Sequence, residues 1–170
     1  YGTFYVDFLK MKVKSVRGFI GGVMYANKLG FKKFYSCSSE KGKETGRSAK
    51  SFIELVGLPY SIHSDNHTNF KEGFFRKVMR KFGIAQSFTE PHSPWQNRAE
   101  YAIGEVKSYA RNLMQSSQTP IRLWCFCLEY SSNLLSLIST GRFELQNRTP
   151  YECLMHYTPD ISEYVSFAWY

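Results

Sequence analysis

The first 37 residues carry the β-branched and aromatic content of strands, and from Ser39 the apolar positions shift to a helical spacing. Tyr1 to Leu9 and Phe19 to Asn27 read as a strand pair joined through Lys10 to Gly18, and Phe31 to Cys37 as a third strand after a turn at Gly30. Phe52, Leu55 and Val56 then mark one face of a helix that Gly57 stops, and Pro59 forces the chain to extend into a strand ending at Asp65. Phe70, Phe74, Val78 and Phe82 recur four apart, which predicts one amphipathic helix ended by Gly83, with Arg76, Lys77 and Arg80 toward water. Ile84 to Phe88 reads as a short buried strand. Two longer helices follow, one from about Trp95 to Gln115 and one from Thr119 (N-cap) and Pro120 to about Ile138. Beyond Gly141, Thr149-Pro150-Tyr151 and Thr158-Pro159-Asp160 read as turns.

This order of three strands, helix, strand, helix, strand and helices is that of an α/β domain, a mixed sheet flanked by helices. At 170 residues the chain holds one core rather than two. The boundary falls near 140, giving a core of residues 1–140 and a C-terminal extension of 141–170, and the abrupt ends suggest a domain cut from something larger.

Charge narrows the partners. Lys and Arg number 22 against 14 Asp and Glu, a net charge of +8, which favours a polyanion such as nucleic acid. The cations are spread over Lys10 to Arg17, Lys41 to Lys50 and Arg76 to Lys81, as phosphate tracking requires, although a solvated surface explains any single cluster. No apolar run is long enough for a membrane span and no signal peptide is visible, so no membrane association is expected. Cys37, Cys125, Cys127 and Cys153 lack zinc spacing and read as reduced core residues of an intracellular protein.

Three carboxylates carry the candidate chemistry. Asp7 sits inside a strand-forming run, where alternation puts Tyr5, Asp7 and Leu9 on one face and Phe4, Val6 and Phe8 on the other. A carboxylate there needs a partner or a metal to offset its desolvation, unless the strand is an edge and Asp7 points to water. Asp65 ends a strand, where α/β sheets present reactive groups, although Asp-Asn is also good turn chemistry. Glu100 opens a helix on which Lys107 and Arg111 follow on the same stripe, while Ile103, Val106, Ala110 and Leu113 form a core stripe beside it. Glu90 is the nearest rival to Glu100.

The segments Tyr5-Val6-Asp7, His63-Ser64-Asp65-Asn66 and Phe88-Thr89-Glu90-Pro91 through Pro94-Trp95-Gln96-Asn97-Arg98-Ala99-Glu100, with 35 residues from Asp65 to Glu100, resemble the Asp-Asp-Glu core of retroviral and retrotransposon integrases. Arg148-Thr149-Pro150-Tyr151-Glu152 resembles a motif that follows the catalytic helices in the copia-like type. The resemblance implies a ribonuclease H-like fold with a five-stranded sheet. It implies Asp7, Asp65 and Glu100 as catalytic ligands of two Mg²⁺ or Mn²⁺ ions, and phosphoryl transfer in trimming element ends and joining them to target DNA. Asn66, Gln96, Asn97, Arg98, Lys107 and Arg111 become the expected nucleic-acid contacts. The expected partners are DNA and a second copy of the chain, paired through the aromatic helix with Trp124, Phe126 and Leu128, unless that helix is an ordinary core helix. The expected location is nuclear or within a virus-like particle.

The chain departs from the family pattern in three places. His67 stands where the family has Gly, and would cost roughly 1 kcal/mol if the turn kept a positive φ. Asn69 replaces an acidic residue, and Arg98 stands where many members have Gly. The integrase zinc module has no counterpart in this sequence. These departures keep open a decayed DNA-binding remnant, and a ribonuclease H-type nuclease is a third reading.

Overall fold

A computed structural model describes residues 2–90, 98–141 and 143–165. Five strands, β1 (Thr3–Lys10), β2 (Gly21–Asn27), β3 (Lys32–Cys37), β4 (Ser61–Ser64) and β5 (Ala85–Phe88), form one sheet in the order β3-β2-β1-β4-β5. The first three are antiparallel neighbours, whereas β4 runs parallel to β1 and β5 parallel to β4, so the sheet is mixed. The helices are α1 (Gly42–Val56), α2 (Thr68–Lys71), α3 (Gly73–Lys81), α4 (Arg98–Ser116), α5 (Trp124–Leu137), α6 (Pro150–Met155) and α7 (Ser162–Val165).

Alternation along the strands sends side chains into two separate cores. Phe4, Val6, Val23 and Tyr25 meet Phe52 of α1 and Phe75 and Val78 of α3 on one face. Leu9, Met24, Ala26 and Phe34 meet Val106 and Ala110 of α4 and Trp124 and Leu128 of α5 on the other. Tyr25 stacks flat on Phe52 at a centroid distance of 4.3 Å, and its hydroxyl shares a hydrogen bond with Ser48. β1 therefore lies between two covered faces, and Asp7 points to the one under α4 and α5.

β3 is an edge strand, yet its outer backbone groups are paired. Ser136 Oγ of α5 accepts the Lys32 N–H and donates to the Lys32 carbonyl, both at 2.8 Å, and Ser132 Oγ accepts the Phe34 N–H at 3.2 Å. A helix with buried hydroxyls thus stands in for a sixth strand.

Several expectations need correction. The single helix over Phe70 to Phe82 is two, because Gly73 takes φ 68° and Glu72 is extended; Phe70, Phe75, Val78 and Met79 are buried instead of a four-apart row. Leu55 is largely exposed, and the α1 stripe is Ala49, Phe52 and Val56. β5 is a half-exposed edge rather than a buried strand, since no strand among the described residues pairs with its outer side. Thr119 does not cap α5: Pro120 opens a 3-10 turn, and its α-helix begins at Trp124. Trp124 and Leu128 belong to the core, leaving Phe126 outward beneath the Arg17 guanidinium. Thr149-Pro150 is no turn but a helix start, where Thr149 and Glu152 form a reciprocal capping box and Pro150 is the first helical residue. Leu154 of that helix enters the α1–α3 core. No helix among the described residues is long and apolar enough to cross a membrane.

Gly22 lies where the Phe34 ring and the β3 backbone crowd β2: an added Cβ would sit 2.3 Å from the Tyr35 carbonyl oxygen and 2.4 Å from the Phe34 ring. Gly22→Ala should lower stability by about 2–3 kcal/mol through overpacking. Gly104→Ala, in α4 with open space around it, should raise stability by about 0.5–1 kcal/mol. Urea midpoints for the two variants check the contrast.

Candidate active site

Strand register brings the first two carboxylates together. β4 pairs with β1 from Thr3↔Ser61 to Val6↔Ser64, so Asp65 leaves the carboxyl end of β4 beside Asp7, where the parallel pairing stops and β1 runs on. Glu100 arrives from the first turn of α4, which crosses this face of the sheet. Asp7 is partly buried and Glu100 exposed.

The charges of the other two are felt at Asp7, whose pKa is pushed up to about 6. Burial is the largest cause; the Phe8 N–H, donated to Asp7 Oδ1 at 2.7 Å, opposes it, Asp65 and Glu100 add repulsion, and His67 relieves a little. The three carboxylates are thus electrostatic neighbours that lack a counter-charge strong enough to keep Asp7 fully ionised. Among the described residues, no three His, Cys, Asp or Glu side chains are gathered closely enough to hold a metal ion as they stand. The donor set is nonetheless of the kind hard divalent cations take, oxygen ligands with an energetic deficit that a cation would remove.

The turn after Asp65 carries no positive φ. His67 has φ −66° and ψ 139°, opens α2, and donates its backbone N–H to Asp65 Oδ1 at 3.1 Å. The penalty foreseen for a positive φ does not arise, and the N–H holds the Asp65 carboxylate in place. Asn66 reaches across to β5, its side-chain amide donating to the Thr89 carbonyl at 2.7 Å.

The other expected contacts divide into groups. Lys107 and Arg111 are exposed on α4 and line one cleft together. Arg98 lines a different cleft with Lys28, Tyr5, His63 and Ser87, over the near end of β1. Gln96 and Asn97, with Trp95, lie outside the described residues. The α4 core stripe is Ala99, Ala102, Val106 and Ala110, with Ile103 and Leu113 at its margin, a small rotation from the expected one.

Two arrangements escaped the sequence reading. His63 shares hydrogen bonds with Ser87 at Nδ1 (2.9 Å) and Thr89 at Nε2 (3.2 Å), packs edge-on to Tyr5, and has its pKa lowered by burial. Period-two alternation along β1, β4 and β5 was the available signal, because Tyr5, His63 and Ser87 are register partners. Lys32, 3% exposed, pairs with Glu105 of α4 at 3.2 Å, tying the helix that carries Glu100 to the start of β3. Nothing in a Lys-Lys-Phe-Tyr string marks its first lysine as the buried one.

No family model matches the sequence, and comparison with curated protein sequences gives no match either. Comparison of folds does. The catalytic core domain of HTLV-2 integrase, in its dimeric magnesium complex, superposes with a TM-score of 0.68 at 17% identity, covering 93% of this chain and 96% of that one. The catalytic core of BIV integrase gives 0.68 at 16% identity, with 98% of each chain covered. The fold is that of a retroviral integrase catalytic core. A chain of the simian T-cell lymphotropic virus intasome, solved in complex with the PP2A regulatory subunit B56 gamma, gives 0.75 at 15% identity. Our chain covers 94% of itself in that match but spans 55% of the intasome chain. The integrase-core fold accounts for the mixed five-stranded sheet and its flanking helices.

The raised pKa makes Asp7 a destabilising group in the metal-free protein. Between about pH 4 and pH 6 the native state holds the Asp7 proton more tightly than the unfolded chain, so stability falls as pH rises through this window and stays lower above it. Asp7→Asn should therefore raise the stability of metal-free protein at pH 7.5 by up to about 3 kcal/mol, the equivalent of two pKa units. The difference should vanish near pH 4, and denaturant melts at both pH values check it.

Proposed function

We propose that this chain is the catalytic core of a retrotransposon integrase, a polynucleotidyl transferase that trims element ends and joins them to target DNA. The carrying observation is that Asp65 and Glu100, from β4 and α4, both act electrostatically on Asp7 of β1 within an integrase-core fold. Asp7, Asp65 and Glu100 would hold two Mg²⁺ or Mn²⁺ ions, which when bound supply Lewis-acid stabilisation of the phosphate and a more acidic attacking oxygen. The HTLV-2 core was solved with magnesium, and dimeric and trimeric forms of it are known, which supports this reading of the acidic site and of self-association.

The chain's own residues do the positioning. Phe8 N–H and His67 N–H each fix one oxygen of a carboxylate, that of Asp7 and that of Asp65. Asn66 braces the turn that bears Asp65 against Thr89. Lys107 and Arg111, exposed along α4 beyond Glu100, would take phosphates of the bound strand. In a phosphoryl transfer without a covalent enzyme intermediate, such placement and charge stabilisation make up most of the catalysis. The copia-like assignment rests on Arg148 to Glu152, whose Thr and Glu close the capping box of α6.

The test is Mn²⁺-dependent disintegration of a branched DNA, beside Asp65→Asn and Glu100→Gln. The wild type should resolve the branch and each variant should fall by about a hundredfold or more, at or beyond the loss typical of removing a group that only orients a metal ligand. Mn²⁺ should raise the melting temperature of the wild type but not of Asp7→Asn. A folded wild type that binds DNA with steep salt dependence, yet neither reacts nor responds to Mn²⁺, would instead identify a decayed remnant.

A further inference from the structure

Two basic runs that are apart in the sequence meet on one surface. α1 and α3 cover the same face of the sheet. Their apolar sides, Ala49, Phe52 and Val56 on one and Phe75, Val78 and Met79 on the other, enter its core, so both helices turn their polar sides to water. Glycine lets them close up: Gly42 lies against Gly73, and a Cβ on Gly46 would sit 2.3 Å from the Phe74 ring. Helices in contact run about 8–10 Å apart, so the cations of α1 and α3 form one field. Lys43, Arg47 and Lys50 share a stripe of α1, and Arg76, Lys77, Arg80 and Lys81 occupy two adjoining turns of α3. All are exposed except Lys50, half-buried where its ammonium lies 4.9 Å from the centre of the Phe74 ring.

Residues 41–83 hold nine of the 22 Lys and Arg but four of the 14 Asp and Glu, so a quarter of the chain carries more than half of the net charge of +8. Of those acids, Glu44 pairs with Arg47 and Asp65 belongs to the carboxylate site. Glu54 and Glu72 flank the field, one turn past Lys50 and one before Arg76. Among the described residues Lys43, Lys50, Lys77, Arg80 and Lys81 form no ion pair, and Arg76 donates to the Lys71 carbonyl instead of a carboxylate. Gathered like charges repel one another, and a surface shaped by solubility alone intersperses both signs.

We propose that the outer surface of α1 and α3 binds the phosphate backbone of duplex DNA, on the face of the sheet opposite the one to which Asp7 points. The proposal stands on charge and packing, needs nothing from the integrase reading, and lies apart from Lys107 and Arg111 of α4. From Lys43 to Lys50 is about 10 Å at 1.5 Å per residue, a length over which a duplex carries about six phosphates. Neither helix has a Tyr or Trp, and the rings of Phe74 and Phe82 lie under Lys50 and Lys81, which leaves no platform for the bases of a single strand. Neither has an Asn or Gln to read base edges, so the contacts are to phosphate and binding is indifferent to sequence. A membrane surface would need apolar residues among the cations, and the apolar sides of both helices are already in the core.

Lysine acetylation read by mass spectrometry locates the contact on the wild-type chain. In EDTA, a blunt-ended duplex should protect Lys43, Lys77 and Lys81, and protection confined to Lys107, or to Lys12 and Lys14, would overturn the proposal. Lys43→Gln combined with Lys77→Gln, Arg80→Gln and Lys81→Gln changes exposed side chains and leaves α4 intact. In that variant the slope of log affinity against log salt should become shallower by about three to four, because each lost phosphate contact is worth about 0.9. A wild-type slope would overturn the proposal. Single-stranded DNA of equal charge that binds as tightly as the duplex would also overturn it, in favour of a strand-binding surface. Polyglutamate that displaces the duplex at equal charge would do so in favour of an acidic protein. Because no divalent ion is present and Lys107 and Arg111 are untouched, failure here leaves the disintegration result standing, and loss of disintegration activity leaves these measurements interpretable.

Discussion

A carboxylate on the middle strand of a sheet covered on both faces constrains everything built around it. β1 has a neighbour on each side and a core above and below, so Asp7 can neither swing to an edge nor reach open water freely. Its charge is tolerable only where the covering helices part, at the carboxyl end of the parallel β1–β4 pair. That location decides where β4 stops, where α4 begins and which residues stand closest. The Phe8 amide compensates Asp7 locally, and the His67 amide does the same for Asp65. Two further carboxylates act against such compensation, and a sheet selected for stability alone would not place them there.

Much of this was legible in residue order. Alternation assigned Asp7 to the Leu9 face correctly, because the period of a strand is set by backbone geometry and needs no partner. Gly57 and Gly83 ended their helices as expected for the same local reason. What failed was decided by distant contacts or by a single dihedral. Phe74 and Phe82 sit at helical spacing with Phe70, but Gly73 at positive φ resets the phase, so their rows no longer coincide. Leu55 is as apolar as Phe52 and still faces water, since it lies off the Ala49, Phe52 and Val56 stripe that α1 turns toward the sheet and α3. Lys32 and His63 acquire their partners through tertiary pairing, to which a linear string is blind. Of the candidate site, the acidic residues stood out through the family resemblance and the basic stripe through helical spacing, while the shape of the cleft beside Lys107 had no linear signal.

The likeness to solved cores at 15–17% identity shows how little of a fold's chemistry is carried by particular core residues. Packing needs volume and patterning, and many side chains satisfy both. The turn after Asp65 accommodates a histidine in the same manner: its backbone is extended, α2 follows from Thr68, and the carboxylate keeps an amide donor.

The serines of α5 that pair with the outer edge of β3 lie far along the chain, Ser136 being 104 residues from Lys32. On a ribosome adding about 5–20 residues per second, that edge waits roughly 5–20 s for its cover to be made. Throughout that interval the β2–β3 hairpin presents the unpaired outer backbone of β3 while its natural cap does not yet exist. The strand's own two lysines, Lys32 and Lys33, are then its main defence against pairing with another nascent chain, so the same lysine that ends buried against Glu105 first serves, in water, to keep neighbours apart.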